Sequence, residues 1–526
     1  MSTARKLISA GAKDIGAWDL SYAYYDPSNA WDLSLTNSNG SFSVAGQEIT
    51  PLGLFIKPDG TKVYVVGSTG DDVNEYSLST AWDITTASYV QNFSVAAQDT
   101  LPNEVFFKPD GTKMYIAGNS SDSILEYDLS TAWDISTASY LQAFDISAQE
   151  TGLQGLFFKP DGTKMYVVGS SGDDVNEYDL SAAWDVSSAS YLQNFSVAAQ
   201  DTSPEAIFFK PDGTKMYVGG GANDSTFEYD LSTAWDVSTA SYVQGSVGAA
   251  AQNNGIFFKP DGTVFYFVST DTDRIYQYVL GGFSVNAQET TPTGLFFKPD
   301  GTKMYVVGSA GDDVNEYNLS TAWDVSSAAY VQNFSVAAQE TIPEGLFFKP
   351  DGTKMYITGG SGDDVNEYSL SIAWDISTAS YIQNFSVAAQ ETAPTDIFFR
   401  PDGVKMYVLG DTGNDVNEYS LSTAWDISTA SFVQRESLLA QENTPQGLFF
   451  KPDGTKMYVV GTGGDDVNEY DLSTAWDVST SSYVQNFSVA GQEGQPNAMF
   501  FKPDGTQMFI IGQSSDTVYP YSLGPQ

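Results

Sequence analysis

One hairpin recurs ten times along the chain, and this recurrence limits the fold more than any other feature. One copy reads FFKPDGTKMYVVG, from Phe157 to Gly169, with a Pro-Asp-Gly turn between two apolar runs. Periods of about 20 to 50 residues are typical of solenoids, propellers and arrays. Successive turn aspartates are 51, 51, 51, 49, 39, 51, 51, 51 and 51 residues apart, at Asp59, Asp110, Asp161, Asp212, Asp261, Asp300, Asp351, Asp402, Asp453 and Asp504.

Each period contains four short segments with the composition of β-strands. In the third copy they read GLFFK, TKMYVVG, DVNEYDL and YLQNFSVAAQ, separated by clusters of Gly, Pro, Asp and Ser. The first two segments are nearly continuous apolar runs, which indicates sheets that are covered on both faces. The sequence therefore predicts an all-β fold, a β-propeller of ten four-stranded blades with about 51 residues each.

The repeat also resembles a known family of propellers. FFKPDGTKMYVV, followed by a polar turn and VNEYDL, is similar to the blade repeat of YVTN/NHL-type propellers, in which a PDG hairpin joins the two inner strands. The resemblance covers residues 42–523 in ten copies and implies the same four-stranded blade. The Trp-Asp of each linker differs from the WD40 pattern, since no Gly-His precedes it at a strand end.

The two ends of the chain complement each other. The last copy stops after its third strand, at Leu523, whereas residues 30–48 supply a linker and a fourth strand. We therefore expect strand 41–47 to pair with strand 517–523 and to close one ten-bladed ring, which removes open sheet edges. Residues 24–526 would then form the propeller, and residues 1–23 an N-terminal docking arm.

The short 39-residue copy leaves the number of rings open. It lacks the Trp-Asp linker, as the last copy does, which suggests two tandem five-bladed propellers divided as 24–281 and 282–526. However, Gly281-Gly282 between two strand patterns is a signal for a tight hairpin, which would keep both strands in one blade. We favour the single ring and keep two five-bladed propellers as the alternative.

Composition excludes several classes of function. The 526 residues contain no histidine and no cysteine, so the commonest general base, a thiolate nucleophile and a cysteine metal site are all excluded. A net charge of −43 repels nucleic acids and anionic membranes. No segment is apolar enough to span a bilayer, and the N-terminal residues show no secretory signal, so we expect synthesis in a cytoplasm.

Acidic residues concentrate in the loops of one predicted face. Gly-Asp-Asp loops suggest a ring of calcium sites, because this cation prefers carboxylate and carbonyl oxygens. The alternative, which we favour, is that the loops are turns with solvated acids, since no spacing matches a known calcium loop. The candidate metal ligands are Asp71, Asp72, Asp173, Asp174, Asp312, Asp313, Asp363, Asp364, Asp465 and Asp466.

Two other groups of residues are candidates for binding. The linker tryptophans, represented by Trp82, Trp184 and Trp323, could stack against sugars, although their rigid sequence context favours packing under their own loops. The loop with Asp271, Asp273 and Arg274 departs most from the repeat and would hold a unique site. We predict no catalytic residue, because the loops are copied from blade to blade.

These observations lead to the prediction of a non-enzymatic protein. Repeats such as STAWDISTASY and the short N-terminal head are similar to bacteriophage fibre and adhesin repeats. The resemblance implies a virion component for structural roles or host attachment, made in the host cytoplasm, with the arm bound to other virion proteins. Its expected partners are a host receptor or glycan and further copies of the chain. The alternative is a lectin-like surface adhesin with calcium, located at the cell surface or outside the cell.

Overall fold

The chain folds into two compact units of five blades each. The computed structural model describes residues 18, 20, 23–25, 36–247 and 253–523. Ala30–Leu280 belong to one unit, and Gly281–Gln526, with Met1–Asn29, belong to the other. We call them the N-terminal propeller and the C-terminal propeller. No helix among the described residues is long and apolar enough to cross a membrane.

Blades 1–5 form the N-terminal propeller, and each is an antiparallel four-stranded sheet. Blade 1 comprises Pro51–Ile56 (β3), Lys62–Gly67 (β4), Asp72–Leu78 (β5) and Ala87–Ser94 (β6); blade 2, Pro102–Phe107 (β7), Lys113–Gly118 (β8), Ser123–Leu129 (β9) and Ala138–Asp145 (β10); blade 3, Leu153–Phe158 (β11), Lys164–Gly169 (β12), Asp174–Leu180 (β13) and Ala189–Ser196 (β14); blade 4, Pro204–Phe209 (β15), Lys215–Gly220 (β16), Ser225–Leu231 (β17) and Ala240–Val247 (β18); blade 5, Gly255–Phe258 (β19), Val264–Ser269 (β20), Arg274–Leu280 (β21) and the early strand Thr36–Ser43 (β2).

Blades 6–10 form the C-terminal propeller. Blade 6 comprises Pro292–Phe297 (β23), Lys303–Gly308 (β24), Asp313–Leu319 (β25) and Ala328–Ser335 (β26); blade 7, Pro343–Phe348 (β27), Lys354–Gly359 (β28), Asp364–Leu370 (β29) and Ala379–Ser386 (β30); blade 8, Pro394–Phe399 (β31), Lys405–Gly410 (β32), Asp415–Leu421 (β33) and Ala430–Ser437 (β34); blade 9, Pro445–Phe450 (β35), Lys456–Gly461 (β36), Asp466–Leu472 (β37) and Ser481–Ser488 (β38); blade 10, Pro496–Phe501 (β39), Gln507–Gly512 (β40), Thr517–Leu523 (β41), Ala23–Tyr25 (β1) and Phe283–Ser284 (β22).

Short 3₁₀ turns connect the third and fourth strands of most blades. In each turn an aspartate accepts a hydrogen bond from the backbone N–H two residues later, as Asp185 does from Ser187. Such a carboxylate satisfies a donor that has no partner within the turn. The turns are Ile84–Thr86, Ile135–Thr137, Val186–Ser188, Val237–Thr239, Val325–Ser327, Ile376–Thr378, Ile427–Thr429 and Val478–Thr480.

A ring of phenylalanines closes each propeller at its axis. Each phenylalanine side chain contacts the phenylalanines of the two neighbouring blades edge-on. The centroids of these aromatic groups are 5.2 to 5.4 Å apart, a favourable geometry for aromatic pairs. Blade 1 therefore contacts blade 5, and blade 6 contacts blade 10. The rings are Phe55, Phe106, Phe157, Phe208 and Phe257 in the N-terminal propeller, and Phe296, Phe347, Phe398, Phe449 and Phe500 in the C-terminal propeller.

These closures confirm the all-β propeller class with ten blade repeats and correct the expected ring count. Strand β2 does not pair with residues 517–523 but with β21, where Phe42 faces Ile275. The single ten-bladed ring is therefore wrong, and the alternative of two five-bladed rings agrees with the strand pairing. The expected hairpin at Gly281-Gly282 is also absent, because β21 pairs with β20 and β2 whereas β22 pairs with β41; β21 and β22 therefore belong to different propellers.

The closing blade of the C-terminal propeller has a divided fourth strand. Strand β1 pairs with residues 521–523 of β41, and β22 pairs with residues 517–518. Pro520 lies between these two stretches, at the point where neither segment pairs. A proline has no backbone N–H and is tolerated in a sheet only where a ladder bond is not required.

Most of the predicted docking arm, residues 1–23, lies outside the described residues, but two of its members belong to the fold. Trp18 and Leu20 are buried, and the Trp18 N–H donates to the Gly505 carbonyl over 3.1 Å. Trp18 occupies the position of a linker tryptophan for blade 10, stacking on Phe501 with centroids 5.4 Å apart. Trp18 and Leu20 are therefore structural parts of the C-terminal propeller.

Linker tryptophans join neighbouring blades. The tryptophan lies over the turn glycine of its own blade, and a Cβ on Gly162 would come within 2.3 Å of Trp184. Its carbonyl accepts a hydrogen bond from a buried tyrosine of the preceding blade, as the Trp184 carbonyl does from Tyr115 over 2.7 Å. Gly162 has a φ of 74°, so both conformation and space require glycine there.

A charged network reinforces the same contact between blades. Between blades 2 and 3, the buried Glu126 pairs with Lys113 and accepts hydrogen bonds from Gln142 and from the backbone of Val186. Gln142 also donates to Asp185, the capping residue of the next linker. Because every oxygen of the buried carboxylate has a donor, the network compensates for its desolvation.

Candidate active site

Departures from the repeat concentrate on the innermost strands, next to each propeller axis. The second and third positions of these strands differ from blade to blade, whereas the flanking Phe-Phe and Pro-Asp-Gly positions are nearly constant. The two positions read Leu52-Gly53, Asn103-Glu104, Gln154-Gly155, Glu205-Ala206 and Asn254-Gly255 in the N-terminal propeller, and Thr293-Gly294, Glu344-Gly345, Thr395-Asp396, Gln446-Gly447 and Asn497-Ala498 in the C-terminal propeller.

Backbone irregularities accompany these variable positions. The ladder between β31 and β32 shifts between Pro394 and Asp396, and the ladder between β27 and β28 shifts between Pro343 and Leu346. A β-bulge redirects side chains and commonly occurs next to functional sites. The inner ladders of most other blades carry equivalent shifts, so the bulges accompany the variable positions in general and are not confined to the two acids.

Asp396 is the acid that lines the axial cavity of the C-terminal propeller. Its Oδ2 accepts from the Leu448 N–H and its Oδ1 from the Ile397 N–H, both over 2.7 Å. Burial outweighs these hydrogen bonds and raises the pKa of Asp396 to about 7. The residue as a whole is half-buried, and it lines an axial cavity of about 10 Å³ with Phe398 and Phe449. A cavity of that size holds about one water molecule.

Glu344 lies on the adjacent blade, one residue before a glycine that contacts Asp396. A Cβ on Gly345 would come within 2.8 Å of Asp396 Oδ1, so the aspartate packs directly against this backbone. Burial raises the pKa of Glu344 to about 8, and the negative charges of Glu340 and Asp411 raise it further. Two acids on neighbouring blades therefore titrate close to neutral pH.

Neutral polar side chains surround these acids and fasten neighbouring blades to each other. Thr293 donates to the Pro343 carbonyl over 2.8 Å, Thr395 to the Pro445 carbonyl over 3.0 Å, and Asn497 to the Pro292 carbonyl over 2.9 Å. Gln446 makes only a long contact of 3.5 Å with the Thr444 carbonyl. Its amide is thus the least constrained donor of the ring.

The N-terminal axis contains two acids in a different arrangement. Glu104 accepts from the Leu54 N–H over 3.1 Å, and burial raises its pKa well above its ordinary value. Glu205 belongs to blade 4, which is not adjacent to blade 2, and it contacts the Asn254 amide at 2.5 Å. Burial raises the pKa of Glu205 to about 7. This axis therefore lacks a pair of acids on neighbouring blades.

Chemically, the C-terminal arrangement suits general acid–base catalysis. Asp396 is half ionised near pH 7 and can act as a base, whereas Glu344 keeps its proton up to about pH 8 and can act as an acid. Between these two pH values one carboxyl is therefore mainly ionised while the other is mainly protonated. Of these polar residues, Asp396 is the one that lines the water-sized cavity.

The predicted Asp-Asp pairs are divided between two structural roles. The first aspartate has a positive φ, for example 50° at Asp173, and supplies a backbone acceptor to the fourth strand. The second is buried, and Asp174 accepts from the amides of Asn176 and Asn194. Amide donors therefore occupy both carboxylate oxygens of the second aspartate. The described residues contain no group of three or more acidic side chains that could hold a metal ion.

The tryptophans and the departing loop also have structural contacts. Trp184 is 8% exposed, and Trp82 and Trp323 are half-buried against the turns of their own blades. Arg274 donates through Nε to Ser41 Oγ over 3.0 Å, which joins β21 to β2. Asp273 has a φ of 53°, and Asp271 lies exposed in the same loop. The structure therefore does not bring these residues together with the axial acids.

Sequence reasoning missed the axial acids because they lie within strands instead of in loops. The available signal was the variation at two adjacent positions between Pro and Phe-Phe, in a chain that otherwise copies itself. An acid in a buried strand is unusual, because burial of a carboxylate without a partner is costly.

Comparisons with known proteins point to an enzyme family. The sequence model of the family described as Lactonase, 7-bladed beta-propeller, matches residues 345–526. The match covers about a third of the chain, and the C-terminal propeller has five blades, so this is a similarity and not membership. No curated protein matches the sequence.

Several solved structures share a weaker similarity. A candidate 6-phosphogluconolactonase from Bacteroides fragilis has 14% identity and a TM-score of 0.29, covering 72% of this chain and 95% of its own. A second one, from Bacteroides uniformis, has 14% identity and a TM-score of 0.28, with 72% and 97% coverage. A protein from Lactobacillus plantarum has 15% identity and a TM-score of 0.27, with 70% and 93% coverage. TM-scores this low support no conclusion about function.

The family match corrects the predicted function. A non-enzymatic virion component or adhesin was expected because the loops are nearly copied from blade to blade, but the matched family is one of enzymes. Neither that family nor these three structures are described as phage proteins. The prediction of a phage component without enzymatic activity is therefore wrong. The blades differ from one another at the propeller axis, and the loop sequences gave no indication of this difference.

Proposed function

We propose that the chain is a hydrolase of lactones and that the reaction takes place at the axis of the C-terminal propeller. The observation that carries the proposal is the pair of acids on neighbouring blades, Glu344 and Asp396, whose pKa values lie at about 8 and about 7. The similarity of residues 345–526 to a lactonase family supports the same region of the chain.

Ester hydrolysis requires a base for the attacking water and an acid for the leaving oxygen. Ionised Asp396 lines the water-sized cavity and is placed to take a proton from a water there. The resulting hydroxide attacks the carbonyl carbon of a lactone bound at the axial opening. Protonated Glu344 then gives its proton to the ring oxygen as the carbon–oxygen bond breaks, which releases a hydroxy acid.

The remaining polar side chains position the substrate. The Gln446 amide is the donor available to the carbonyl oxygen, on which negative charge develops in the transition state. Thr293, Thr395 and Asn497 hold the adjacent backbones through their hydrogen bonds to neighbouring blades. A rigid rim of this kind keeps the reacting groups aligned.

Charge favours a neutral substrate. Two carboxyl groups lie at the site, and the chain has a net charge of −43, so an anionic lactone is repelled before it reaches the axis. Uncharged sugar lactones or simple alkyl lactones are therefore preferred over phosphorylated ones.

Hydrolysis of glucono-δ-lactone and γ-butyrolactone in a pH-stat, with spontaneous hydrolysis subtracted, tests the proposal. Asp396→Asn and Glu344→Gln should each lower kcat about 100-fold or more, a typical effect of losing general acid–base catalysis. Glu104→Gln, a buried acid in the other propeller, is the matched control and should retain activity. Absence of activity in the native chain, or equal rates in all variants, would overturn the proposal.

A further inference from the structure

One junction in the C-terminal propeller lacks the network that joins the other blades. At the contact between blade 10 and blade 6, Gln507 replaces the network lysine, Pro520 replaces the glutamate and Phe509 replaces the tyrosine. Gly281, which precedes β22, stands at the position where the other blades have the glutamine of the network. Four side chains that carry hydrogen-bonding groups are thus exchanged for smaller or less polar ones.

A cavity occupies the resulting space. Its volume is about 240 Å³, and its wall is formed by Ala322, Trp323, Asp324, Val325, Lys502, Gln507 and Pro520. All of these residues belong to the C-terminal propeller. Sites for drug-sized molecules begin at about 300 Å³, so this cavity suits a smaller ligand.

The wall on blade 6 contains two backbone groups, the Val325 N–H and the Trp323 carbonyl, whose equivalents have hydrogen-bond partners at other junctions. The backbone N–H that corresponds to Val325 donates to a carboxylate elsewhere, for example from Val186 to Glu126 over 3.1 Å. The carbonyl that corresponds to Trp323 accepts from a lysine ammonium elsewhere, for example Trp425 from Lys354 over 2.7 Å. The cavity therefore presents one donor suited to a carboxylate and one acceptor suited to an ammonium group.

The second wall completes the complementarity. Gln507 supplies an amide donor for the other carboxylate oxygen, and Lys502 contributes a positive charge, although it also pairs with Asp504 over 3.1 Å. The rings of Pro520 and Trp323 form an apolar surface beside these polar groups. At the junctions that keep both residues, the ammonium and the carboxylate lie in direct contact, as Lys62 and Glu75 do at 2.6 Å.

We propose that this cavity binds a free α-amino acid. Such a molecule has its ammonium and carboxylate groups on one carbon, close enough to occupy the places of the missing lysine and glutamate. The carboxylate accepts from the Val325 N–H and the Gln507 amide, the ammonium donates to the Trp323 carbonyl, and the side chain lies against Pro520. The ligand thereby restores the polar contact between blades 10 and 6. This site is separate from the axial acids and does not depend on lactone hydrolysis.

Isothermal titration with L-serine, L-glutamine and L-lysine tests the site. Each should bind with one site per chain, whereas glycine betaine, which has no N–H, and D-gluconate, which has no ammonium group, should bind at least about tenfold more weakly. Absence of binding of all three amino acids at millimolar concentration would overturn the proposal, as would tighter binding of D-gluconate.

Three variants separate the cavity from other sites. Gln507→Lys with Pro520→Glu refills the cavity with an internal ion pair and should abolish binding. Val325→Pro removes the N–H at the first position of its turn, where proline is tolerated, and should weaken binding at least about tenfold. Val478→Pro makes the same change in blade 9 and should bind as the native chain does. Asp396→Asn should also retain binding. Unchanged binding in Val325→Pro would contradict the assignment, even if the double variant fails to fold.

Discussion

The two propellers have nearly the same blades but differ at their axes and in their closing blades. In the N-terminal propeller, β2 supplies one continuous fourth strand from Thr36 to Ser43. In the C-terminal propeller, β1 and β22 divide this strand between them. The first axis carries acids on blades 2 and 4, and the second carries them on the adjacent blades 7 and 8.

This difference shows where a repeat protein acquires individual sites. The Pro-Asp-Gly turn, the linker tryptophan and the junction network are copied because each blade needs them to pack against the next. Positions that face the axis, and positions at the closing blade, have no such requirement. The candidate site and the additional cavity both lie at positions of this second kind.

Removal of a linker tryptophan should have the largest effect on stability. Trp18→Ala leaves a cavity between blades 9 and 10 and should cost about 3–5 kcal/mol of unfolding free energy. Because Trp18 contacts only the C-terminal propeller among the described residues, hydrogen exchange should accelerate in blades 6–10 and not in blades 1–5. Trp235→Ala should show the reverse pattern. Equal acceleration in both propellers would break the comparison.

The buried axial acid should make the C-terminal propeller less stable as the pH rises. Asp396 has a pKa of about 7 in the folded chain against an ordinary value of 3.8, so the folded state binds more protons between these values. Stability should fall by up to about 4 kcal/mol from pH 4 to pH 7 and remain low above pH 7.

Urea unfolding of the native chain and of Asp396→Asn at pH 4.5 and pH 8, followed by hydrogen exchange in blades 6–10, measures this loss. The variant should lose only part of the pH dependence, because Glu344, whose burial raises its pKa to about 8, destabilises the folded chain over the same pH range. A native chain that is equally stable at both values would contradict the raised pKa.

The junction network should contribute an intermediate amount. Glu177 accepts from Gln193 and from the Val237 N–H and pairs with Lys164, so Glu177→Ala leaves three donors without their acceptor. Loss of about 1–3 kcal/mol of unfolding free energy is expected. The corresponding substitution at the contact between blades 10 and 6, Pro520→Ala, should lower the unfolding free energy by less, since a proline side chain has no carboxylate to accept such bonds. Similar losses in both variants would contradict the comparison of junctions.

The acidic loops should show the smallest effect. Asp173 has a φ of 50°, a conformation that asparagine also tolerates, so Asp173→Asn should change the unfolding free energy by less than about 0.5 kcal/mol. Because amides occupy the oxygens of Asp174, calcium should not raise the Tm of the native chain or of the variant. A calcium-dependent rise that the substitution removes would restore the metal hypothesis.

The blade could be predicted from the sequence because its signals are local. The Pro-Asp-Gly turn, the strand composition and the spacing of 51 residues each act within one copy, and the structure confirms the four-stranded blade. The number of rings depends on contacts between distant copies, such as Phe55 with Phe257. No local pattern specifies those contacts, although the AWDL at Trp18 repeats the linker and is a signal for a second closing segment that the prediction of a docking arm overlooked.

The candidate site was less predictable for a similar reason. Glu344 and Asp396 are 52 positions apart in consecutive copies, so the repeat places them on adjacent blades, but only the closed ring brings their strands to one axis. Their raised pKa values come from burial by neighbouring blades and have no counterpart in sequence. The loops attracted attention because their charge is visible in the sequence, but their acids are used to hold turns and strands together.

The pH dependence of lactone hydrolysis tests the central claim most directly, namely that the adjacent acids of the C-terminal axis form a base and an acid. After subtraction of the spontaneous reaction, kcat/KM should rise through an apparent pKa of about 7 and fall through one of about 8. Asp396→Asn should remove the rising limb and Glu344→Gln the falling limb, while Glu104→Gln leaves both. A rate that increases steadily with hydroxide, unchanged in the two axial variants, would contradict the account.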